Sequence, residues 1–293
     1  MENSQAENNV TIKGASYIGE PKSYTVMYIS KKVEHLLKNL EGIEGSLIFV
    51  EEGIDVPDAY AEKNRFVYTE NPQREYAEYM QIYADRKWNA DKGRHYTLTN
   101  EGYYLGENAK IGDNACIEPG CLIGHDVIIG KNAHIRAGVK IKNAVIGDDF
   151  IANENAVIGA DGFTMAIDLK GNKFRIPTLG KVIIGNGVEI GALNNVSVGS
   201  GRDTVIEDYV KLDALVHVGH DVRIKKNTEV TAGVIISGFA VIGEDVFIGV
   251  NASVRNRVEL ADSCFIGMGA NVTKSVNGQE IVAGNPAHPI RKK

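Results

Sequence analysis

From Ile206 to Val272 every sixth residue is Ile, Leu or Val: Ile206, Leu212, Val218, Ile224, Val230, Ile236, Ile242, Ile248, Val254, Leu260, Ile266 and Val272. The residue four beyond each is usually small or β-branched, as at Val210, Val216, Val222, Thr228, Val234, Ala240 and Val246. No helix or flat sheet has a period of six. Strands alternate their side chains, so two inward residues per six is what a sheet coiled into a prism requires. The pattern predicts a parallel β-helix. It begins near Leu105 and runs through Ile111, Ile117, Ile123, Ile129, Ile135 and Ile141, loses one residue, and resumes at Ile146 and Ile158. Residues 161–181 break the register, which returns at Ile184, Ile190 and Val196; a shorter break, Gly-Ser-Gly-Arg-Asp-Thr, occupies 199–204. Three hexapeptides make one triangular coil, so roughly eight coils at about 4.8 Å each predict a prism about 40 Å long.

Before the repeat the pattern is mixed. Val33, Leu36, Leu37 and Leu40 fall at helical spacing within 30–41, with Ser30 as N-cap. Residues 46–50 (SLIFV) and 65–69 (RFVYT) read as strands, and Asn71-Pro72 opens a second helix through Tyr76, Met80 and Tyr83. The expected organisation is mainly β: a small α/β domain over 1–98, then a β-helix over 99–293 with an inserted loop at 161–181 and a short tail. Insertions in solenoids leave on one face, often the binding face, which makes 161–181 a candidate lid. A surface loop without a role fits the pattern equally. Residues 1–9 are polar and expected to fray.

Composition narrows the classes. A net charge of −6 excludes a general attraction to nucleic acid or anionic membrane. Cys116, Cys121 and Cys264 lack metal-ligand spacing and read as reduced thiols, Cys264 in a small-residue core slot. The N-terminus has neither the basic nor the apolar region of a signal peptide. No apolar run approaches the roughly 20 residues of a membrane span. A soluble cytoplasmic protein is expected.

For chemistry, His217 and His220 lie off the inward rows, which here are Val216 and Val218. A neutral imidazole beside a carboxylate can take a proton near neutral pH. Asp213 lies about one hexapeptide before His220, and eighteen-residue stacking sets Arg202 one coil before it and Gly238 one coil after, where a small residue leaves room beside the ring. Spacing alone favours plain surface histidines for both, as for His125 and His134. No Cys, Asp or Glu set completes a metal site around His217 and His220, and no phosphate-loop or dinucleotide fingerprint is present. Arg223, Lys225 and Lys226, and then Arg255 and Arg257 with the tail Arg291-Lys292-Lys293, are basic clusters that suit a phosphorylated donor or an acidic carrier, or else simply solvated charge.

The hexapeptide repeat with its closing Ala283-Gly284-Asn285-Pro286-Ala287 resembles the left-handed β-helix acyltransferases. Within them the chain is most similar to the UDP-3-O-acyl-glucosamine N-acyltransferases of lipid A (lipopolysaccharide) biosynthesis. The likeness rests on Asn71-Pro72 and the helix after it, IGADGF at 158–163, IPTLGKVII at 176–184, VEIGA at 188–192, DTVI at 203–206 and AGVI at 232–235. The left hand comes from that resemblance, since sheets in general prefer right-handed crossovers. The resemblance implies His220 as catalytic base supported by Asp213, and Arg257, Gly238, His217, Arg202 and Phe163 as substrate- or donor-binding residues. Backbone N–H groups near Gly238 or Gly219 would support the oxyanion. It implies no permanently bound cofactor, an acyl carrier protein or CoA thioester as co-substrate, a nucleotide-sugar acceptor and a homotrimer with sites between prisms. The family's second histidine falls on Arg257, its Asp-Arg-Gly stretch reads Ser197-Val198-Gly199, and its uracil-holding positions fall on Met27, Ser30 and Val33. The family's C-terminal helical extension is absent. Three activities follow: a long-chain N-acyltransferase, a CoA-using sugar N-acyltransferase for surface glycans, or a non-catalytic relative.

Overall fold

In a computed structural model, residues 12–292 are described; the polar stretch 1–9 and Lys293 of the basic tail lie outside the described residues. The described residues form two compact units, 12–87 with 164–179, and 88–163 with 180–292.

The first unit is built on four parallel strands in chain order, β1 (Gly14–Ala15), β2 (Thr25–Ile29), β3 (Leu47–Glu51) and β4 (Arg65–Thr69). Alternation sends neighbouring side chains to opposite faces. Met27, Ile29, Ile48 and Val50 meet Leu37 and Leu40 on one side. Val26, Leu47 and Phe49 meet Tyr76, Ala77 and Met80 on the other. The first helical segment, Lys31–Leu40, is 3-10 in character and kinks at Val33, and Ser30 makes no side-chain cap bond. The long helix Pro72–Asp91 begins as its sequence predicts: Asn71 Oδ1 accepts the Arg74 N–H at 3.0 Å and Pro72 takes the first helical position.

Two expectations about domains change. The unit boundary falls after Lys87 and not after 98, because Tyr96–Leu98 pairs antiparallel with Tyr104–Gly106 as the first strands of a β-helix sheet. Most of the insertion folds with the first unit. Its hairpin, Met165–Ile167 against Lys173–Arg175, belongs to the first unit, where Ala166 and Ile176 join the core under Phe49 and Tyr76.

The second unit is a parallel β-helix of three sheets, with eight, ten and ten strands. Most strands are two residues long, and successive coils pair eighteen residues apart, as in Arg223↔Val241, Glu229↔Phe247 and His217↔Ile235. The inward rows are continuous: Val218, Ile224, Val230, Ile236, Ile242 and Ile248 are fully buried. Each such side chain contributes about 1.5–3 kcal/mol of transfer free energy. Corners follow the same period. The residue three beyond each inward position has φ near +60°: Tyr209, Leu215, Asp221, Asn227, Phe239, Asp245, Asn251, Arg257 and Ser263. That conformation suits Asn and Asp and is costly for bulky side chains. An antiparallel pair, Glu280–Ala283 with His288–Lys292, follows the last coil and ends one of the three sheets. Cys121 and Cys264 are buried, Cys116 is exposed, and all three are free thiols. Among the described residues no helix is long and apolar enough to cross a membrane.

Candidate active site

Two coils of the β-helix differ from the rest at one corner. The break at 199–204 adds residues between Val196 and Ile206, and the chain there wraps a single carboxylate. Asp221, fully buried, accepts the N–H groups of Gly201 (2.8 Å) and Arg202 (2.7 Å) on Oδ1, and the N–H (2.9 Å) and hydroxyl (2.8 Å) of Ser200 on Oδ2. Its own N–H donates to Thr204 Oγ1 at 2.9 Å, and Arg202 Nε donates to its carbonyl at 2.8 Å. Gly199 makes the wrap possible, since a Cβ there would run into the Arg202 carbonyl and reach within 3.2 Å of Asp221 Oδ1. Burial pushes the Asp221 carboxyl up, but the bonds from His220, Ser200 and Gly201 outweigh it and hold the group below the usual Asp range.

The remaining contact on Oδ2 is His220 Nδ1 at 2.7 Å. An ionised carboxylate can only accept, so Nδ1 carries the proton and Nε2 keeps the lone pair. The ring stands on the neighbouring coil at Gly238, where any Cβ would lie 2.6 Å from Cε1 and Nε2. Phe239 meets it edge-on at 5.4 Å between centroids, and the Arg257 guanidinium lies over the Phe239 ring, 4.2 Å from its centroid. Asp221, Phe239 and Arg257 are successive occupants of one corner column.

The sequence reading needs one substantive correction. Asp213 does not support His220. It is exposed and caps its own turn, accepting the Ala214 N–H at 2.7 Å. One hexapeptide along the chain is one corner around the triangle, so the Asp213 and His220 side chains leave the prism at different corners. Arg202 is almost wholly buried, holding the Asp221 backbone, with its guanidinium 5.9 Å from the Phe239 centroid. His217 is half-buried on a flat face between Asn195 and Ile235, and burial, then the His220 charge, pushes its pKa down. Phe163 is 75% exposed at the start of the insertion. The sequence reading missed Asp221, Ser200 and Phe239. Their signal was available: Asp221 and Phe239 fill corner slots, and the 199–204 break lies one coil below. Among the described residues no group of three His, Cys, Asp or Glu side chains is placed to hold a metal.

Residues 108–143 and 239–274 match the bacterial transferase hexapeptide (six repeats). The chain is 38% identical over 154 residues to a protein of Arabidopsis thaliana named probable UDP-3-O-acylglucosamine N-acyltransferase 2, mitochondrial, a match covering 53% of this chain and 51% of that one. It is 39% identical over 155 residues to the UDP-3-O-acylglucosamine N-acyltransferase of Herminiimonas arsenicoxydans, covering 50% and 44%. The chain therefore spans about half the length of the curated relatives it matches. Among solved structures it resembles the UDP-N-acetylglucosamine acyltransferase of Francisella novicida, with a TM-score of 0.61 and 26% identity over 67% of this chain and 71% of that one. The coil is of the left-handed kind found in these neighbours.

Proposed function

We propose that this protein, a left-handed β-helix built on transferase hexapeptide repeats, is an acyltransferase that moves an acyl group from a carrier thioester to the amine of a nucleotide-linked amino sugar. The observation that carries the reading is the His220–Asp221 pair: an imidazole whose tautomer is fixed by a buried carboxylate that is itself held by four protein donors.

In this reading the sugar nitrogen attacks the thioester carbonyl, and Nε2 of His220 takes the proton that the nitrogen loses as the C–N bond forms. Asp221 stabilises the resulting imidazolium, which is why its charge must persist at working pH. Collapse of the tetrahedral intermediate breaks the C–S bond, and the imidazolium returns its proton to the leaving thiolate. Of the two glycines considered for the oxyanion, Gly219 already donates its N–H to the Ile236 carbonyl at 2.8 Å. The task falls to Gly238, whose N–H donates to no carbonyl among the described residues and whose bare α-carbon leaves the room that the His220 ring takes up.

Acyl carrier protein and CoA both supply the required thioester, and the names of the relatives support a UDP-sugar acceptor of the lipid A type. One observation favours a different nucleotide contact or a smaller, CoA-dependent reaction. Met27, at a position where the resemblance expects a contact to uracil, is fully buried in the first unit's core. A homotrimer working in the cytoplasm completes the proposal. Four consecutive apolar residues on one outer face, Ile128, Val145, Ile183 and Val205, support self-association. Incubation with labelled acetyl-CoA and acyl carrier thioesters over UDP- and dTDP-amino sugars tests the reading. His220→Ala is expected to lower kcat by about 10²–10⁴-fold, and a variant that retained normal transfer would refute the mechanism.

A further inference from the structure

Arg257 and Phe239 both occupy corner slots with φ near +60°, at +61° and +62°. Elsewhere in the same run such slots hold Asn227, Asp245 and Asn251, which tolerate the conformation, and also the bulky Tyr209 and Leu215, so it is the contact between Arg257 and Phe239 and not the backbone alone that sets this pair apart. Two bulky residues are thus kept, in consecutive coils of one column, in a backbone conformation that disfavours them. The prism needs neither: their inward neighbours, Ile236 and Val254, close the core without them. What they build is on the outside. The guanidinium of Arg257 lies 4.2 Å over the Phe239 ring, and that ring abuts His220.

The ring contact fixes the guanidinium without using its N–H donors. Among the described residues no Asp or Glu forms a hydrogen bond or ion pair with Arg257, whereas Lys225 is paired with Asp262 and Lys226 with Glu244. Arg257 is exposed, so the donors face water. A planar, permanently charged fork, oriented by stacking and left without a counter-ion, matches a phosphate ester.

We infer that Arg257, held on the Phe239 ring, is the anion-binding residue of this site and orients a phosphate-bearing substrate at His220. The inference rests on the reading of His220 as the acyl-transfer base. The phosphate has two possible sources, the phosphopantetheine arm of the donor and the diphosphate of a nucleotide-sugar acceptor. The chemistry recognised is the same.

Calorimetric titration of the full chain with coenzyme A, with UDP and with inorganic pyrophosphate tests the assignment directly, without turnover. Arg257→Asn, the residue type of the neighbouring corners, is expected to weaken binding of at least one of these about ten- to a hundredfold, the range for a lost charge-assisted contact. Its melting temperature is expected to be unchanged or higher, because the φ strain is relieved. Arg257→Lys keeps the charge but loses the planar fork, and should restore only part of the affinity. Where turnover is measurable, the loss should appear mainly in KM for the phosphorylated partner, and whether CoA or UDP is affected identifies that partner. Unchanged binding of all three ligands by Arg257→Asn would overturn the assignment. So would a lower melting temperature with proportional loss of every activity, the mark of a merely structural residue. If the wild type binds pyrophosphate through Arg257 yet transfers no acyl group, the anion site stands and the acyl-transfer reading alone fails.

Discussion

In the proposed mechanism His220 serves as a base only through what stands behind it. The buried Asp221 carboxylate is held by five contacts, and one of them sets the imidazole tautomer. Asp221→Asn keeps the shape but offers an amide that can donate to Nδ1 and reverse the tautomer. A kcat loss of about 10²-fold or more is expected in single-turnover assays, while Asp213→Asn should stay close to wild type. The same residues fix how stability changes with acid. Asp221 has a lowered pKa, so its contribution is full above the ordinary Asp range and is lost as pH falls through the folded value. His217 is also lowered, by burial first, so below about pH 6.5 the unfolded chain takes up a proton that the folded chain still refuses. Both signs agree: stability falls on acidification. Melting curves should show the first decline just below pH 6.5, and His217→Asn should flatten that part while leaving the loss at lower pH. The sequence revealed His220 through resemblance. It concealed Asp221 because adjacency in a chain says nothing about which corner loop will fold around a carboxylate.

At the scale of the element, what was legible in the sequence was whatever repeats. Inward rows and coil count follow from a packing condition met every six residues, and they appear in the structure as eighteen-residue pairing from His217↔Ile235 upward to Val254↔Val272. The insertion was illegible for the opposite reason. Ala166, Phe174 and Ile176 carry no period, and nothing local states that their partners are Val26, Phe49 and Tyr76, more than eighty residues earlier. Two substitutions measure the difference. Ile236→Ala empties a fully buried position between coils and should cost about 2–5 kcal/mol in denaturant melts. Ile176→Ala should destabilise the first unit by a similar amount, because it removes a 2%-exposed core side chain. An Ile176→Ala protein with unchanged stability would return the insertion to the status of a surface loop.

The whole molecule poses a question that neither residue nor period answers: why one outer face of the prism is apolar. Outward positions on a solvated sheet should alternate with polar residues, and the face bearing Glu189, Lys211 and Glu229 does carry alternating charge. The column Lys110, Ile128, Val145, Ile183, Val205, Arg223, Val241 and Glu259 is charged at its ends and at Arg223, but four consecutive members, Ile128 to Val205, are apolar. Four consecutive coils presenting β-branched residues outward carry no benefit for the prism's own core, whose inward rows are complete without them. Hydrophobic surface of that regularity is retained when it is covered, and a rotationally closed homo-oligomer covers identical faces without leaving an open end. Arg223 then sets the edge of the contact, on the strand that immediately follows the His220–Asp221 corner, so the acyl-transfer site would stand at the rim of the association surface. Val205→Glu places a charge at the centre of the column while leaving inward Thr204 and Ile206 untouched. Sedimentation equilibrium should show a trimer for the wild type and a smaller species for Val205→Glu. The melting temperature of the wild type should rise with protein concentration, and that of the variant should not. Equal masses for the two proteins would mean that the apolar face is not where copies of this chain meet.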